Sequence, residues 1–199
     1  MKKFFFVIIL CFTFLPSLFA DEFDDVVASS SKSEKLFVFN PGVRFSFLGI
    51  EPSFSFDIKN LELELACVIS TGFTGKEFGV APSFAIGYNT NPFDRGAVAT
   101  FGLEYMYLTS SYTNMIVKAV GGDDAEEQFP GIHGLGIYYK GAYKFNPTFG
   151  LLWKFQLPLL IYATKDGVSM NINITNMPGM LGCFIIGLST TSIGVEFSF

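Results

Sequence analysis

The chain has 199 residues, of which 50% are hydrophobic, 16% charged and 25 phenylalanine, with a formal charge of −5. That is too apolar for an ordinary soluble domain, and the acidic balance excludes nucleic acid as a partner, since phosphates demand a basic face. Past the first twenty residues no run of about 18 uninterrupted apolar residues exists to make a membrane helix. The longest candidate, 149–163, carries Lys154, Gln156 and Pro158 in its middle.

Residues 1–20 read as a secretory signal peptide. Lys2 and Lys3 supply a basic start, Phe4 to Leu15 an apolar run, and Pro16 to Ala20 an exit in which Leu18 replaces the usual small residue. Cys11 would suit a lipoprotein only after a small residue, and Leu10 precedes it. Residues 21–35 are acidic and serine-rich, with apolar residues too sparse to form a face, so a flexible lead-in on the periplasmic side is expected. The remaining 36–199 form one domain.

From Leu36 onward apolar residues recur at every second position, the period of a strand with one apolar face. Phe37, Phe39, Val43, Phe45 and Phe47 oppose Asn40, Arg44 and Ser46, and after a break at 49–52 Phe54, Phe56 and Ile58 oppose Ser53, Ser55 and Asp57. The parity then flips at Lys59-Asn60, which predicts a two-residue turn leading to Leu61, Leu63 and Leu65 against Glu62, Glu64 and Ala66. Phe78, Val80, Phe84, Ile86 and Tyr88 face away from a row of Gly, Ala and Ser; Phe101, Leu103, Tyr105 and Tyr107 oppose Gly102, Glu104 and Met106. Leu135, Ile137, Tyr139, Tyr143 and Phe145 oppose Lys140 and Lys144, and after Asn146-Pro147 a row of seven runs from Phe149 to Ile161 against Gly150, Lys154, Gln156 and Tyr162. Odd parity is then continuous from Cys183 to Phe199, through Ile193, Val195 and Phe197, and predicts one closing strand.

Two features decide which face is outside. A soluble barrel, such as a lipocalin-like carrier, needs charged residues on its outer face, whereas the non-apolar face here is mostly Gly, Ala and Ser, which suits a crowded lumen. The apolar face is Phe, Tyr and Leu, the residues expected against lipid and at its aromatic girdles. Connections at 49–52, 71–76, 113–130 and 164–180 fall at one end and those at 59–60, 89–95 and 146–148 at the other, following the rule of longer loops outside and shorter turns on the periplasmic side.

The alternation, the leader and the terminal aromatic row together resemble the small bacterial outer-membrane β-barrel superfamily, of OmpW, OmpX and OmpA type. The resemblance implies an all-β, antiparallel up-and-down transmembrane barrel of about eight strands, or ten if 168–175 and 179–188 are separate strands. It implies outer-membrane lipid as the surroundings, and a barrel-insertion machinery that reads Ile193, Val195, Phe197 and Phe199. Pro158, which deletes a ladder hydrogen bond, resembles the lateral wall opening of OmpW-type barrels, associated with passage of small hydrophobic molecules. Bulges are expected at Pro82 and Pro158.

The inward parity collects Arg44, Lys59, Lys140, Lys144 and Lys154 against Asp57, Glu62, Glu64, Glu104 and Glu196, with Lys59 at the rim. Balanced charges in a low-dielectric lumen pair, because an unpaired one costs several kcal/mol, so a plugged barrel rather than a general pore is expected. Apolar exceptions on the same parity, Met106, Leu108, Tyr138, Leu160, Tyr162 and Phe184, are expected to line the outer half of the lumen.

Nothing predicts a cofactor or a metal. Cys67 and Cys183 fall on non-adjacent strands and read as free thiols; the 121–124 Gly-Gly-Asp-Asp stretch lacks the spacing of a calcium loop. His133, near Ser110, Ser111, Asp123, Asp124, Glu126 and Glu127, holds the ingredients of a lipid-modifying enzyme without a motif joining base to nucleophile, so no enzyme is expected. The expected function is an outer-membrane barrel that passes small hydrophobic molecules or supports membrane integrity. The alternative is an adhesin or antigen that presents 113–130 and 164–180, with Asn171, Asn173 and Asn176, to a host surface ligand.

Overall fold

The alternating rows become consecutive antiparallel strands in a computed structural model that describes residues 37–71, 78–90, 96–119, 130–165 and 168–199. The leader, the acidic lead-in and the Gly-Gly-Asp-Asp stretch lie outside these. In chain order the elements are β1 (Phe37–Ser46), β2 (Ile50–Ile58), β3 (Leu61–Ser70), β4 (Gly79–Asn89), β5 (Gly96–Leu108), α1 (Ser110–Ala119), β6 (Ile132–Asn146), β7 (Phe149–Lys165), β8 (Val168–Asn173), α2 (Met177–Thr190) and β9 (Ser192–Phe197).

Strands β1 to β7 pair each with the next, and β9 lies between β7 and β1, so eight strands close a barrel. β8 is a ninth strand, folded back on the outer part of β7 alone. Closure is steeply staggered. From Gly42 the cross-strand partners run one way through Ser53, Ala66, Ser83, Met106 and Gly134 to Ile161, and the other way through Glu196 to Gly150, both ends lying on β7. That offset within one strand is the shear that a closed, tilted barrel requires.

The turn at Lys59-Asn60 is tight as expected: Ile58 pairs with Leu61, and Lys59 takes a left-handed φ of 55°. The two prolines behave differently. Leu135 pairs with Leu160 and Gly136 with Pro158, so Leu159 is the extra residue of a bulge. At Pro82 there is no bulge. The β4–β5 ladder stops at Ser83–Met106, and Thr109 takes over, accepting the Val80 N–H on Oγ1 (3.2 Å) and donating its own N–H to the Val80 carbonyl (3.1 Å).

Three further sequence expectations are corrected. The bulge inverts the parity of the end of β7: Ile161 is buried, while Leu160 and Tyr162 are 56% and 43% exposed on the outer wall. The odd row from 183 is not one strand, because 177–190 is helix and only Ser192–Phe197 is strand. That segment is apolar almost throughout, so a period of two was available by chance where no periodicity discriminates. The signals that decide it are local: Asn176 caps the helix, its Oδ1 accepting the Gly179 N–H at 2.7 Å, and Pro178 stands in the first turn. The loop expected from 113 likewise begins as α1, whose Tyr112, Thr113, Met115 and Ile116 are buried.

Candidate functional site

The lumen is filled in two layers. The first, toward the short turns, is ionic. Inward parity on β1, β2, β3, β5, β6, β7 and β9 brings Arg44, Asp57, Glu62, Glu64, Glu104, Lys140, Lys144, Lys154 and Glu196 together, all buried. Arg44, fully enclosed, forks onto two carboxylates: Nε and Nη2 donate to Glu51 (3.1 and 2.7 Å), and Nη1 and Nη2 to Glu64 (3.0 and 2.8 Å). The planar guanidinium suits this bidentate geometry. Lys154 Nζ then bridges Glu64 and Glu104 at 2.7 Å each, and lies 5.1 Å above the Tyr138 ring.

Lys140 pairs with Glu62, and reaches Glu64 at 3.5 Å and Glu196 at 3.9 Å. Asp57 is held by amides, accepting from Asn40 Nδ2 (2.6 Å) and Asn89 Nδ2 (3.3 Å), while Lys144 Nζ donates to Ser198 Oγ at 3.2 Å. Lys59 stays exposed on its turn. Glu51, within the break expected at 49–52, also belongs to this layer. The signal was present, since Glu51 extends the inward row of Ser53, Ser55 and Asp57 by one step.

The second layer, toward the long connections, is apolar. Met106 and Leu108 of β5 pack there with Val68, Ala81 and Ile161 from the wall, Tyr112 and Ile116 from α1, and Cys183 and Ile186 from α2. The Tyr112 hydroxyl donates to the Ser189 carbonyl at 3.5 Å, joining the two helices across the lumen. Of the six residues expected to line this half, Met106 and Leu108 do. Tyr138 lies inside but in the ionic layer, its hydroxyl donating to Glu62 at 3.1 Å. Leu160 and Tyr162 face outward for the reason given above, and Phe184 is half-buried on α2 rather than on a strand.

The wall has a seam along β7. β9 pairs with β7 as far as Lys154–Ser192, and β8 takes up pairing at Leu160–Asn173, so the edge of β7 around Pro158 has no strand beside it. α2 fills that space. Gly187 permits the approach: a Cβ there would lie 2.4 Å from the Gln156 carbonyl oxygen. The helix shows Met177, Met180, Leu181 and Leu188 to the outside and Cys183 and Ile186 to the apolar layer. Pro158 itself is buried in the wall beside this seam.

Outside, the barrel is apolar, with exposed Phe45, Phe54, Leu65, Phe84, Leu103 and Ile137 around its girth. Phe145, Phe149 and Phe197 cluster at the short-turn end. Of the closing row, Ile193, Phe197 and Phe199 are exposed and Val195 half-buried, and Phe199 exchanges backbone hydrogen bonds with Phe39. His133 also faces outward, its Nδ1 2.7 Å from the Tyr105 hydroxyl. Its recorded partner is thus a phenol and not a serine, and the acids at 123–127 lie outside the described residues. Cys67, half-buried on β3, and Cys183, buried on α2, are both free. No group of three metal-ligating side chains occurs among the described residues.

No family model matches the chain, and no curated protein does. Among solved structures it is similar to the N-terminal β-barrel domain of Pseudomonas aeruginosa OprF (13% identity, TM-score 0.42, covering 82% of this chain and 96% of that one). It is also similar to a major outer membrane protein from Thermus thermophilus (12%, 0.35, 82% and 98%) and to Neisserial surface protein A (13%, 0.37, 82% and 94%). Likenesses this distant carry no functional weight. The closed ladder, the apolar exterior and the buried ion pairs are themselves the architecture with which proteins reside in the bacterial outer membrane.

Proposed function

We propose that the protein is a non-enzymatic outer-membrane barrel whose ionic layer blocks ion flow and whose apolar layer exchanges small hydrophobic molecules with the surrounding lipid at the α2 seam. One observation carries this reading: the apolar layer is separated from lipid by a helix rather than by a strand. A helix satisfies its own backbone hydrogen bonds, so moving α2 breaks no strand ladder, whereas parting two paired strands of the wall would. The ionic layer supports the closed side of the reading, because water and ions have no path through a packed, paired network without breaking buried ion pairs. In assembly, the exposed closing row of Ile193, Phe197 and Phe199 is the segment available to an insertion machinery.

The test combines three readouts on the protein reconstituted in lipid. Planar bilayers should show no porin-scale conductance, and uptake of a radiolabelled apolar solute into proteoliposomes should rise with the protein present. Cys183 should react slowly with a lipid-soluble maleimide beside the wall residue Cys67, and faster when the apolar solute is added. Stepwise porin currents, or uptake unchanged by the protein, would refute the reading.

A further inference from the structure

The outer wall carries a cluster that is polar where lipid is expected. Tyr105 and Tyr107 of β5, His133 of β6 and Tyr162 of β7 stand on neighbouring strands, with His133 directly opposite Tyr107 on one side and Tyr162 on the other. The imidazole lies 4.8 Å from the Tyr107 ring, 6.1 Å from Tyr105 and 6.3 Å from Tyr162. All four lie toward the strand ends that carry the long connections, and so at the outer boundary of the membrane.

Two features of the fold assemble this group. Without the extra residue Leu159, alternation from Pro158 would turn Tyr162 into the lumen; the bulge turns it out to meet His133. Gly131 makes room for the Tyr107 phenol, since a Cβ there would lie 2.5 Å from its oxygen. An aromatic girdle by itself needs neither device nor a histidine.

We infer that Tyr105, Tyr107, His133 and Tyr162 form a binding site for the phosphate of a lipid headgroup in the outer leaflet. The Tyr105 hydroxyl engages Nδ1. When it donates there, the ring proton sits on Nε2, which becomes a donor alongside the Tyr107 and Tyr162 phenols, and Tyr105 holds the imidazole in place. Phosphate oxygens at the membrane boundary are the acceptors that such donors meet, and bonds to a charged acceptor are stronger than neutral ones. The site stands apart from the α2 seam and holds whether or not a solute crosses the wall.

The experiment is native mass spectrometry of the full-length barrel in detergent, titrated with phosphatidic acid or with diacylglycerol of the same acyl chains. The wild type should bind phosphatidic acid about tenfold more tightly than diacylglycerol. His133→Phe and Tyr105→Phe, which keep a ring at each position, should each remove most of that preference, and Tyr88→Phe at the opposite end should leave it intact. A gel shift on boiling confirms that each variant is folded. Equal affinity for the two lipids, or full preference retained in His133→Phe, would reduce the cluster to an ordinary girdle and overturn the inference.

Discussion

Arg44→Met is the sharpest probe of the ionic layer. The substitution keeps the stem and removes four charge-assisted hydrogen bonds, two to Glu51 and two to Glu64. The two acids are left in different positions. Glu64 retains Lys154 at 2.7 Å and Lys140 at 3.5 Å, whereas Arg44 is the only cation within ion-pair distance of Glu51 among the described residues. Breaking a buried pair from one side costs about 3–5 kcal/mol, and most of it should come from the stranded Glu51. The double variant Arg44→Met with Glu51→Gln should therefore recover roughly half of the loss or more, since a neutral amide costs far less to bury than a carboxylate. Urea unfolding of the lipid-folded barrel measures this, followed by the compact band on unheated gels and by fluorescence of Trp153, the one tryptophan of the chain. A single variant within about 1 kcal/mol of wild type, or a double variant no more stable than the single, would refute the view that paired charges hold this layer together.

Further outcomes follow from the same geometry. Glu104 is buried and shares Lys154 with Glu64; Glu104→Gln should leave the urea midpoint unchanged or raise it, because Lys154 keeps Glu64 and one buried charge is removed. Gly187→Ala should cost about 1–3 kcal/mol by forcing α2 away from the Gln156 carbonyl. Gly182→Ala on the same helix meets nothing within 4 Å and should gain about 0.5–1 kcal/mol from helix propensity. The two helix variants are compared in the same urea assay, and an equal effect for both would argue against α2 being packed into the seam.

Strand order and facing were legible along most of the chain. Lys59-Asn60 marked its turn, and the inward charges from Arg44 to Glu196 could be named from parity alone, since successive side chains of a strand must point to opposite faces. Reading failed where that local rule was interrupted. Pro158 announced a bulge, yet the bulge's effect lies downstream, where Leu160, Ile161 and Tyr162 exchange faces. In 177–190 an apolar segment matches the strand period by coincidence, and the helix is marked only at its start, by Asn176 and Pro178. Glu51 falls within the break expected at 49–52, although it belongs to the row of Asp57.

Period-two alternation, written residue by residue, carries the class of the fold and the inside and outside of each regular strand without any knowledge of neighbours. Which charges pair, where the ionic layer gives way to the apolar one, and that a helix rather than a strand covers the edge of β7 between the ends of β9 and β8, are properties of the assembled barrel. Those features depend on register summed around a closed ring. Arg44 finds Glu64 twenty positions away, and Lys154 finds the same carboxylate from ninety, and no local pattern records the stagger that brings them to one level of the barrel.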